Sequence, residues 1–87
     1  MATIDPEAVA IGQAVRGAIA QAGLTQAEAA DRAGMALKTF SGRVNGLFPF
    51  TWPELVRIAN VTGVTCSELA TTANRIANRH APELASA

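Results

Sequence analysis

Apolar residues recur along this chain at spacings of three and four, and no stretch alternates with the two-residue period of a strand. Ile11, Val15, Ala18, Ile19 and Ala22 make the first stripe and predict a helix with one apolar face. Asp5-Pro6 starts it, with Asp as the N-cap and Pro at a position whose N–H would have no helical partner. Glu7 suits the positive end of the helix dipole, and Gly23 ends the helix as a left-handed cap. Gly12 and Gly17 are poor helix residues, which either permit close packing or only lower local stability.

Three later segments open with the pattern T-x-x-E, at Thr25–Glu28, Thr51–Glu54 and Thr65–Glu68. In this capping box each side chain satisfies a backbone N–H that the helix leaves unpaired. The first box opens a helix to about Ala33 that buries Ala29 and Ala30. Gly34 provides the turn and Met35 plugs the core. A third helix spans Leu37 to Asn45 and ends at Gly46, with Phe40 and Val44 pointing inward. Pro49 and Phe50 fix the loop that follows. A fourth helix then buries Leu55, Ile58, Ala59 and Thr62, and Gly63 closes it. The fifth carries Leu69, Ala73, Ile76 and Ala77 on one face, which closes the core or meets a second subunit. It stops near His80, because the residue before Pro82 is biased away from helix. Residues 1–4 are expected to be loose and residues 81–87 frayed. Residues 1–80 then form a single all-α domain of five helices, without repeats or an internal linker.

The stretch from Thr25 to Gly46 therefore reads as two short helices joined by a tight turn. This is the layout of a helix-turn-helix, whose second helix enters the DNA major groove. Its outward face carries Leu37, Lys38, Ser41, Gly42 and Asn45. Leu37 either contacts a thymine methyl or is half-buried at the turn. Gly42 either admits close approach of backbone and bases or is a tolerated defect.

Charge supports a local reading rather than a global one. Seven basic and seven acidic residues give a formal net charge of zero, unusual for a nucleic-acid binder. Yet Arg32, Lys38 and Arg43 lie between Arg32 and Pro53 without any acid among them. A positive face is expected there, with weak and salt-sensitive non-specific affinity for DNA. Composition narrows the remaining classes. One cysteine, Cys66, permits no internal disulfide framework and is read as a small, semi-buried residue of a cytoplasmic protein. No signal peptide or membrane-spanning run is expected. Catalysis has little support, since His80 has no nucleophile or carboxylate arrangement beside it and the acids serve mostly as caps. Cys66 and His80 do not make a metal-ligand set, and no cofactor or small-molecule ligand is expected. Phe48, Phe50 and Trp52 crowd into one short segment. They motivate a different class, a protein-interaction module such as an antitoxin or a phage adaptor. The favoured reading places Phe50 in the core and Trp52 packed over the start of the fourth helix.

In order along the chain come G-L-T-Q at Gly23–Gln26, A-G-M at Ala33–Met35, T-F-S at Thr39–Ser41 and N-G at Asn45–Gly46. These are followed by P-F-T at Pro49–Thr51, L-x-x-I-A at Leu55–Ala59 and G-V-T-x-x-E-L at Gly63–Leu69. With these motifs, from the first helix to Leu69, the chain closely resembles the Cro/phage-repressor (XRE-type, lambda-repressor-like) helix-turn-helix family. The resemblance implies a transcriptional regulator that binds an operator in double-stranded DNA as a homodimer. It implies that Leu37, Lys38 and Gly42 reach base edges, that Thr39, Ser41 and Arg43 lie near the DNA backbone, and that Gln26 and Asn45 bond phosphate. Thr25 and Ala36, the cap positions of the two helices, complete the expected DNA-facing set. Many relatives carry a polar residue at Leu37, Ser or Thr at Ala36, and Arg or Gln at Gly42. The loss of all three predicts few hydrogen-bonding readers and low direct-readout specificity, with either methyl contacts and DNA shape compensating or DNA binding partly lost.

Overall fold

The computed structural model describes residues 5–80, so the expectations for residues 1–4 and 81–87 lie outside the described residues. Five helices follow one another: α1 (Pro6–Gln21), α2 (Gln26–Arg32), α3 (Leu37–Val44), α4 (Trp52–Thr62) and α5 (Cys66–His80). No strand occurs among the described residues.

The helix starts form as the side chains dictate. The Glu7 N–H donates to Asp5 Oδ1 at 2.9 Å, and Pro6 occupies the first turn. All three T-x-x-E boxes are closed in both directions. Ala36 precedes α3 with extended backbone but offers no side-chain acceptor, so α3 alone of the first four helices begins without a side-chain cap.

α1 is the hub and packs against every other helix, most extensively along α5. It buries Ala8, Ala10, Gly12 and Ala14 as well as Val15, Ala18 and Ile19, a wider face than one apolar stripe implies. The cause is residue size: Ala and Gly let neighbouring helices close in on a second side. Gly12 is decisive here, since a Cβ at this position would overlap the Val44 carbonyl oxygen and sit 3.0 Å from that of Arg43. Close packing is thus the role of Gly12. At Gly17 an added Cβ would meet nothing within 4 Å. Ala22 departs from its expected place in the stripe: it caps the end of α1 and is exposed.

Phe40, Val44, Val15 and Ile58 are the largest fully buried side chains. The Phe40 and Phe50 rings meet edge to face with centroids 6.1 Å apart, so the α3–α4 loop is held by an aromatic pair worth about 1 kcal/mol beyond its burial. Leu69 closes the core from α5, with Ala73 and Ile76 partly buried against it. Met35 and Leu55 are partly buried against the same core, and Cys66 is half-buried. Thr62 is half-buried too, its hydroxyl donating to the Ile58 carbonyl at 2.8 Å. No described helix is long and apolar enough to cross a membrane.

Candidate nucleic-acid interface

α2 and α3 are joined by a turn that the backbone specifies fully. Gly34 takes φ 71°, a left-handed conformation that a side chain disfavours. The Met35 N–H then donates to the Ala30 carbonyl at 2.9 Å, which returns the chain across the end of α2. α3 lies against both α2 and α1, seated by Phe40 and Val44. Its other face is open: Ala36, Leu37, Lys38 and Thr39 are exposed, while Ser41, Gly42 and Arg43 are half-buried. Leu37 keeps 51% of its surface accessible, so it is not half-buried at the turn.

The ten candidate positions divide by what their side chains already do. Thr25 is exposed, and its hydroxyl accepts the Glu28 N–H at 3.1 Å. The reciprocal bond from the Thr25 N–H holds the exposed Glu28 carboxyl below the usual value. Gln26 is half-buried at the first position of α2. Lys38 makes no salt bridge among the described residues. Asn45, which caps the C-terminus of α3, is engaged within the domain. Its Oδ1 accepts from Arg16 Nη2 at 2.7 Å and its Nδ2 donates to Ser41 Oγ at 3.4 Å.

Arg43 is neither free nor simply solvated. Its Nε donates to Glu54 Oε1 at 2.8 Å, with the two side chains 21% and 11% exposed. The same Oε1 accepts the Thr51 N–H at 2.8 Å, so one carboxylate serves as capping-box residue of α4 and as counterion of α3. Burial pushes the Glu54 carboxyl up, but the bonds from Thr51 and Arg43 outweigh it and hold the pKa below the usual value.

Gly42 has a neighbour that the sequence did not reveal. A Cβ at this position would lie 3.6 Å from Cδ2 of Phe48, ordinary contact distance, so the ring covers the space the glycine leaves. Lys38, Thr39, Gly42, Arg43 and Phe48 together line an open groove on the outer face of α3. Trp52 departs from its favoured reading: it is 66% exposed rather than packed over the start of α4. Glu54 and Ile58 define the buried face, and two helical positions before Glu54 lies about 200° around the axis.

The contacts of three residues in this region escaped sequence reasoning. Glu54 carried a signal for its cap but none for its partner. Arg16 lay on the polar side of the first helix without a pattern to tie it to Asn45. Phe48 was read only as part of the aromatic cluster, with nothing local to tie it to Gly42. Among the described residues no group of three or more His, Cys, Asp or Glu is arranged to hold a metal ion.

The whole arrangement is similar to a solved fold. The crystal structure of the clp gene regulator ClgR from Corynebacterium glutamicum superposes with a TM-score of 0.81 at 20% sequence identity, over 97% of this chain and 90% of that one. No family model matches the chain, and no curated protein matches it significantly. The likeness establishes the five-helix helix-turn-helix fold.

Proposed function

We propose that this domain is a sequence-specific DNA-binding transcriptional regulator, with α3 inserted in the major groove. The observation that carries the reading is the outer face of α3: Leu37, Lys38 and Thr39 are exposed on a helix fixed from behind by Phe40 and Val44. No acid lies between Arg32 and Pro53 to oppose phosphate. The fold shared with a gene regulator supports the same reading. In this proposal Lys38 donates to guanine O6 or N7 and Leu37 meets a thymine methyl. Thr25, Gln26, the uncapped N–H groups after Ala36, Thr39 and Ser41 lie along the phosphates. Arg43 and Asn45 act mainly from within, holding α3 to α4 and to α1.

In the manner of Cro and phage repressors, the regulator acts in the cytoplasm as a homodimer on an inverted repeat. Its half-sites lie one helical turn, about 34 Å, apart. Selection of bound duplexes from a random pool tests this directly. The expected result is an enriched inverted repeat, bound more tightly than a scrambled copy and by twice the mass of one chain. Affinity for both duplexes falls as salt rises. No enrichment, or equal affinity for the selected and scrambled duplexes, overturns the reading. A protein-interaction module such as an antitoxin or phage adaptor is the second reading, favoured by the exposure of Trp52 and Leu47. It gains if the chain binds no duplex at any salt concentration.

A further inference from the structure

We infer that Phe48, although it lies beyond the recognition helix, supplies the base-reading side chain that Gly42 lacks, and that it recognises the methyl group of a thymine. This rests on the proposal that α3 occupies the major groove.

Backbone geometry delivers the ring to this place. Gly46 turns the chain with φ 80°, and the Leu47 N–H donates to the Gly42 carbonyl at 3.0 Å. The turn is itself docked, since a Cβ on Gly46 would come within 2.7 Å of Val9 Cγ2 on α1. Phe48 is thereby laid over Gly42, its Cδ2 and Cε2 at 3.6 and 4.0 Å from where a Cβ would stand. Gly42 is thus a seat: the space it leaves on α3 is taken by a ring entering from the loop. Phe48 nevertheless keeps 60% of its residue surface accessible, beside Lys38 and Thr39.

An exposed ring on this face needs an apolar partner. The thymine C5-methyl is the apolar group that the bases present in the major groove. The charge around the ring favours DNA over another apolar surface. Lys38 lies on the same groove, no acid is among the described residues that line it, and the carboxylate paired with Arg43, Glu54, is buried. The ring therefore reads a thymine close to the base that Lys38 meets.

The probes are the duplex that the parent chain selects from a random pool and the same duplex synthesised with deoxyuridine in place of thymidine. The parent is expected to prefer the thymine form by about fourfold for each methyl covered, the factor for one buried CH₂. Phe48→Ala lowers that preference by about fourfold, and Phe48→Gln, which keeps reach but removes the apolar ring, does the same. Unchanged far-UV circular dichroism shows that either variant has kept the fold. An unaltered thymine-to-deoxyuridine ratio in a folded variant overturns the assignment of Phe48. Loss of self-association in Phe48→Ala, with the ratio intact, overturns it too and gives the ring to a protein contact. A parent chain that enriches no duplex defeats the DNA reading itself, and this inference with it.

Discussion

At the scale of single residues, two glycines in the same helix have opposite roles. Gly12 admits the α3 carbonyls to within touching distance of α1, so Gly12→Ala forces the helices apart and is expected to cost about 1–3 kcal/mol. Gly17 faces open space, and Gly17→Ala is expected to gain about 1 kcal/mol from helix propensity alone. Urea denaturation of the two variants checks both signs. A third residue is deficient where its neighbours are not. Ala36 begins α3 without a side-chain acceptor, so Ala36→Ser is expected to raise stability by about 1 kcal/mol in the same assay. Sequence reading located both glycines without separating them. The difference lies in the Val44 carbonyl, more than thirty positions away along the chain, which no local pattern encodes.

At the scale of elements, the helix starts were legible and the ties between helices were not. A capping box is written within four consecutive residues, and all three boxes formed as read. The Arg43–Glu54 pair spans a loop whose path depends on Phe50 finding Phe40, and that tertiary event carries no signature at either charged residue. The pair has a consequence in acid. Folding depresses the Glu54 pKa from an ordinary 4.5, so its contribution to stability is fully present above that value. It is lost as pH falls through the lower folded value. Glu54→Gln is expected to cost about 1–3 kcal/mol at pH 7, because it leaves Arg43 half-buried beside a neutral amide. The variant should also lose less stability than the parent between pH 7 and pH 3. Urea midpoints measured across that range check both effects, and parallel curves for the two proteins would remove Glu54 as an acid-sensitive tie.

At the scale of the molecule, a five-helix fold organised around α1 holds out one helix face with little polar equipment. Its shape was readable because Phe40, Val44 and the Gly34 turn are local signals of a helix-turn-helix. Its DNA-contacting chemistry was less readable, because Arg43 and Asn45, expected at the DNA backbone, are engaged by Glu54 and Arg16, and the ring over Gly42 arrives from a loop. What remains as an outward cation on α3 is Lys38. The claim that this face binds DNA therefore rests most heavily on that residue. Titration of the duplex selected by the parent chain with Lys38→Ala, followed by gel shift at fixed salt, is the most direct test. The expected result is affinity weakened about tenfold or more, within the range for losing one good base contact, with circular dichroism unchanged. Equal affinity of the folded variant and the parent for that duplex would contradict the account.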